Sequence, residues 1–266
     1  MKGRSFQRRH LVLPYAIFLI AFVIVPLLVL VYYAFTDGSG QPTLANAIAF
    51  FTNPNAIGTL VYSLAIAGTT TLVSLLLAYP TAYILARSKW KMKSVLVMVI
   101  VMPMWINFTL RVSALKEVLT FIEGNLSYYP FINSVIGMTY DFLPFMILPI
   151  YTNLMKLDEN LIEAARDLGA SPAKAFLKVA LPLSIPGIVS GVMMVFLPSM
   201  TNYVVLDMLY NSTYIMGSLI GSYFNAYDWH SGSMIALVLL TIICVVSIVA
   251  NRYEDEDAGN RGGAFL

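Results

Sequence analysis

Six stretches of this chain stay apolar for about twenty residues or more: 11–35, 57–86, 94–118, 134–156, 183–206 and 233–251. A bilayer core about 30 Å thick takes roughly 20 residues of helix, so each stretch is long enough to cross one. Closed barrels also satisfy their backbone in lipid, but their strands alternate apolar and polar residues. Runs such as Leu72-Val-Ser-Leu-Leu-Leu-Ala78 and Ile235-Ala-Leu-Val-Leu-Leu-Thr-Ile-Ile243 do not alternate. The pattern predicts an all-α polytopic membrane protein with six transmembrane helices.

Polarity returns between the fourth and fifth stretches, over 157–182, and it returns with a helical period. Leu157, Leu161, Ala164, Ala165 and Leu168 fall at i, i+4, i+7, i+8 and i+11, which makes one apolar stripe. Glu159, Glu163, Arg166 and Asp167 lie largely outside it. Gly169 follows as a helix-ending residue able to turn left-handed. Ser171 is then a natural N-cap and Pro172 a first-turn proline for a second helix. Leu181-Pro182 closes that helix where the fifth stretch begins.

Composition agrees with burial in lipid. The 266 residues are 59% hydrophobic and 11% charged, and the mean hydropathy is +0.77, unlike a water-soluble domain. Fourteen of the sixteen Lys and Arg fall at one set of boundaries: the amino-terminus, the second loop, the 157–182 region and the tail. Only Arg111 and Lys116 fall toward the other side. Basic loops stay inside, so both termini and the 157–182 loop are expected to be cytoplasmic.

The first apolar run, about 25 residues long, exceeds the roughly 7–15 of a cleaved signal peptide and reads as an uncleaved span. The single cysteine, Cys244, excludes an internal disulfide framework. A net charge of +2, spread along membrane edges, gives no indication of nucleic acid binding. The histidines, His10 and His230, fall outside the expected spans and suggest no metal site. The whole chain, 1–266, reads as a single transmembrane domain whose acidic tail, 252–266, is a solvated, mobile end.

An amphipathic helix between two spans either lies on headgroups or docks on a protein. Interfacial helices usually present Lys and Arg to anionic lipid. This one carries Asp158, Glu159, Glu163 and Asp167 against a single Arg166. Protein docking is the better reading.

Glu163-Ala164-Ala165, Gly169, Val179 and Leu181-Pro182 together resemble the cytoplasmic loop of the permease subunits of binding-protein-dependent ABC importers. The resemblance implies a cytoplasmic coupling helix between helices 4 and 5. In it, Glu163, Asp167 and Leu168 would face an ABC ATPase, Ala164 and Ala165 would allow close approach, and Gly169 would turn the chain. It also implies an ATPase dimer, a second homologous permease and an extracellular or periplasmic solute-binding protein as partners, at a bacterial plasma (inner) membrane. No phosphate-binding Gly-x-x-x-x-Gly-Lys-Ser/Thr loop occurs in the sequence. ATP and Mg would therefore be bound by the partner ATPase, and this subunit would be non-catalytic.

Further matches narrow the resemblance to spermidine/putrescine importers. They are Pro103-Met-Trp-Ile-Asn107 with Arg111, Leu143-Pro-Phe-Met146 with Pro149, Pro186-Gly-Ile188 with Gly191, and Asp228-Trp229 with Gly232. His230 stands where that family often has proline, and Asp141 where an apolar residue is usual. Polyamines are flexible polycations, so a path for them needs carboxylates and aromatic faces. Trp105, Asn107, Tyr140, Asp141, Tyr203 and Asp207 are the candidates. Each has a plainer alternative: Asp141 and Arg111 as a pair across helices, the aromatics as packing, and Asp207 as a loop acid. Permeases for ferric iron, sulfate or phosphonate share the loop motif. An ion-gradient transporter would leave that motif unexplained, and an intramembrane hydrolase would lack a histidine at depth.

Overall fold

The computed structural model describes residues 9–210 and 215–262. Lys2, Arg4 and Arg8 of the basic amino-terminus lie outside the described residues, as do the side chains of His10 and of the acidic run 254–257. Among the described residues, four continuous helices are long and apolar enough to cross a membrane: Pro14–Ala34, Pro54–Arg87, Pro130–Lys156 and Trp229–Ala250. Two bent pairs also qualify, Lys93–Trp105 with Phe108–Glu123 and Pro172–Leu183 with Ile185–Thr201. With each pair taken as one span, the described residues hold up to six, numbered first to sixth in chain order.

The chain divides into two compact units, Met1–Gly58 with Ser218–Ile242 and Thr59–Gly217 with Ile243–Leu266. In the first unit, Asp37 folds a tight turn after the first span. Its Oδ1 accepts from the Ser39 and Gln41 amides at 2.9 Å and from the Ser39 hydroxyl at 2.6 Å. These bonds, the Ser39 hydroxyl foremost, hold the Asp37 carboxyl below its ordinary pKa of 3.8. Asp228 caps the sixth span, its Oδ1 accepting from the Ser231 amide at 3.0 Å. His230 is not a solvated loop residue: it sits in the first turn of that span, and its Nδ1 donates to the Tyr33 carbonyl at 3.1 Å.

The second unit is built on the fourth span, which buries Met138, Met146, Ile150 and Leu154 completely. The fifth span packs along it through two glycines one turn apart. A Cβ at Gly187 would stand 2.6 Å from Asn153 Cβ, and one at Gly191 would stand 2.8 Å from Met146 Sδ. Apolar helices gain no hydrophobic drive from each other in lipid, so close backbone approach over small residues supplies the contact.

Three elements differ from the pattern read in the sequence. The 94–118 stretch is broken rather than continuous, its halves bent by 98°. Pro103 enters a 3-10 turn over Met102–Trp105, Ile106 is extended, and Asn107 caps a new helix by accepting from the Thr109 amide at 2.9 Å. Leu181-Pro182 does not end its helix. A π turn over Phe176–Ala180 lets the Leu181 amide reach back to Phe176 O, and this wider turn leaves room for the proline ring. The helix breaks at Ser184 instead, with a 63° bend. The sixth span continues as helix through Gly262, so the tail is helical over that length.

Candidate functional site

The segment read as a docking loop is assembled by local rules. Asp158 caps the helix Glu159–Asp167, its side chain accepting from the Asn160 amide at 3.0 Å. At the other end Gly169 takes φ +87°, Gly169 N donates to Arg166 O at 2.9 Å, and Ala170 N donates to Ala165 O at 3.0 Å. This paired closure satisfies two orphan carbonyls and needs a residue without a Cβ penalty at Gly169. Ser171 then caps the next helix by accepting from the Lys174 amide at 3.3 Å.

No residue of Glu159–Asp167 is buried. Leu168 is 90% exposed, so the end of the apolar stripe is left uncovered by the described residues. Beside it, an open recess of about 480 Å³ is lined by Glu163, Arg166, Asp167, Ala170 and Pro172. Glu163, Ala164, Ala165, Asp167, Leu168 and Gly169 thus lie together on one polar, accessible segment. Arg87, at the end of the second span, reaches Glu159 at 3.4 Å. Its basic loop and the docking segment therefore share one end of this unit.

The six path candidates are not assembled in the same way. Asp141 is 1% exposed and pairs with Arg111, Oδ1 to Nη2 at 2.5 Å. Arg111 Nε and Nη1 have no hydrogen-bond partner, so the guanidinium is only partly satisfied. Tyr140 is 44% exposed although it precedes Asp141, because neighbours on a helix point about 100° apart. The adjacent path candidates Tyr140 and Asp141 are therefore split between two faces. Trp105 and Asn107 flank the break in the third span, both exposed. Tyr203 and Asp207 are exposed on the short helix Tyr203–Tyr210. Among the described residues, no hydrogen bond or ion pair joins Trp105, Asn107, Tyr140, Tyr203 or Asp207 to one another.

Sequence reasoning missed Tyr79, Arg87, Phe176 and Ser184, which gather behind the docking segment. The period 79, 83, 87 along the second span could have signalled Tyr79 and Arg87, and no local pattern signals Phe176 or Ser184.

Four continuous apolar helices and two bent pairs, with the capped and exposed helix Glu159–Asp167 following the fourth span, define the class as a polytopic helical membrane protein. Residues 75–254 match the binding-protein-dependent transport system inner membrane component family, and the chain belongs to that family. The spermidine/putrescine transport system permease protein PotB of Haemophilus influenzae is 33% identical over 255 residues, 88% of this chain and 89% of that protein. PotB of Escherichia coli K12 is also 33% identical, over 71% of this chain and 75% of its own. The fold is similar to a bacterial alginate ABC transporter chain, with a TM-score of 0.72, 14% identity and 92% of each chain covered. It is similar too to a chain of the MetNI methionine ABC transporter, with a TM-score of 0.58, 16% identity, and 77% of this chain and 99% of that one covered. The chain is thus a multi-pass inner-membrane component of an ABC transporter.

Proposed function

We propose that this permease imports polyamines and forms one half of a channel completed by a second homologous permease. The resemblance to PotB over most of both chains supports the solute class. A cytoplasmic ATPase dimer, which binds ATP and Mg, grips the Glu159–Asp167 helix, and an external solute-binding protein delivers the solute. Both termini lie in the cytoplasm, in line with the basic boundaries. When nucleotide closes the ATPase pair, the docked helices move together and the displacement reaches the fifth span through Pro172–Leu183. The path alternates between outward- and inward-facing states as a switch biased from a distance. In this reading Trp105, Asn107, Tyr140, Tyr203 and Asp207 line it, while Asp141 is held by Arg111. The observation that carries the reading is the capped, acidic helix whose Leu168 is left open to a partner.

One observation favours a different small solute such as sulfate or phosphonate. Asp141, the buried acid among the path candidates, is already matched by Arg111. The experiment is reconstitution of the permease pair with its ATPase and binding protein in liposomes. Spermidine should stimulate ATP turnover, and Glu163→Lys or Gly169→Pro should abolish ATPase co-purification while membrane insertion persists. Normal co-purification of both variants contradicts the docking reading, and stimulation by sulfate or ferric iron alone contradicts the solute.

A further inference from the structure

Three side chains of the second span meet the docking segment from behind. Tyr79, Tyr83 and Arg87 are spaced by one turn, so they share a helix face over about 12 Å. Arg87 holds the entry: Nη1 donates to Leu157 O at 3.5 Å and lies 3.4 Å from Glu159 Oε1. Tyr83 and Tyr79 hold the middle, meeting the Phe176 ring edge-on at 5.1 and 5.7 Å between centroids. Tyr79 also holds the exit, its hydroxyl 2.8 Å from Ser184 Oγ. Ser184 spends its own hydrogen on Leu181 O at 2.8 Å, so Tyr79 is the donor.

Packing alone would not select these groups. Ser184 is fully buried at the 63° break, where an alanine would fill the space without a polar atom to satisfy. Arg87 keeps Nε and Nη2 buried without partners, an arrangement that an apolar side chain would avoid. Both polar groups instead stand at the points where the docking segment leaves and rejoins the bundle.

We infer that this face of the second span is a bracket. It ties the docking segment to the second span as one lever, so that a push on the docked helix enters the bundle through that span as well as through Ser184. Tyr79 and Arg87 are positioning residues. The inference rests on the docking reading above, and its test separates the two.

The test uses the complete transporter in liposomes with Tyr79→Phe, Arg87→Gln and Arg87→Lys. In the first two variants the ATPase should co-purify and turn over ATP, while spermidine uptake per ATP falls about fivefold each, the scale of one lost hydrogen bond. Arg87→Lys, which keeps the charge, should recover part of that loss. Spin labels on exposed Ile84 and Asn160 should keep one separation with and without ATP in the parent and lose it in Tyr79→Phe. Unchanged uptake per ATP in both variants, or a label distance that already changes with ATP in the parent, overturns the bracket. Loss of the ATPase from Tyr79→Phe overturns it too, by making Tyr79 part of docking or folding. Persistence of the ATPase in Glu163→Lys is a different failure, that of the docking reading itself.

Discussion

Two ion pairs of this chain lie in opposite settings. Arg111 and Asp141 are almost fully enclosed, at 8% and 2% side-chain exposure, whereas Arg87 is 16% and Glu159 67% exposed. A buried pair is costly to break from one side, because the remaining charge is stranded in a medium that solvates it poorly. A pair open to solvent is worth little as an interaction. Stability is therefore expected to depend on the first pair, and the second to act through its position at the entry to the proposed docking segment. Energetic weight and functional weight need not fall on the same contact.

The sharpest way to break this contrast is to neutralise one member of the enclosed pair. Asp141→Asn should destabilise the permease by about 3–5 kcal/mol, read as a lowered unfolding midpoint in detergent. Replacing both, as Arg111→Met with Asp141→Leu, should recover most of that loss. A cost below about 1 kcal/mol for the single change would mean that water reaches the pair and that it behaves like an exposed one.

Gly191→Leu probes the same interior without charge. Its Cβ would stand 2.8 Å from Met146 Sδ and 3.1 Å from Met146 O, so the fourth and fifth spans should separate at a cost of about 1–3 kcal/mol. Unfolding of the variant measures this, and an unchanged midpoint would show that the spans slide apart freely.

Glu159→Gln, on the exposed pair, should change stability by less than about 1 kcal/mol. It should still lower uptake per ATP if position rather than strength matters. The smallest effect concerns Asp37, whose carboxyl is held below its ordinary 3.8 by the Ser39 hydroxyl and turn amides. A depressed folded pKa gives stability that is present above the unfolded value and lost as pH falls through the folded one. The protection of the Ser39 and Gln41 amides against exchange, relative to their intrinsic rates, should therefore hold at neutral pH and be lost as the pH falls through the depressed folded value, and Asp37→Ala should remove that dependence.

The two regions also differ in how far the amino-acid pattern reveals them. Asp158, Gly169, Ser171 and Pro172 act on backbone groups within a few residues, so their roles follow from spacing alone. The Arg111–Asp141 pair joins two spans, and the pattern leaves it open between pairing and solute contact. Tyr79 and Ser184 are 105 residues apart, and no local rule links them. The break at Ser184 was expected two residues earlier because proline usually ends a helix, and the preceding π turn absorbs that proline. His230 was expected in a loop because the apolar window starts after it, yet Asp228 starts the helix earlier by capping it.

The proposed transport cycle turns on the Glu159–Asp167 helix as the handle of an intracellular ATPase. A photo-crosslinking amino acid at position 168, in intact cells expressing the whole transporter, tests this most directly. One adduct is expected, between this chain and the ATPase subunit, lost when Glu163→Lys is added. Labelling of that position from outside the cell by a membrane-impermeant reagent, or an assembled transporter with no such adduct, would contradict it.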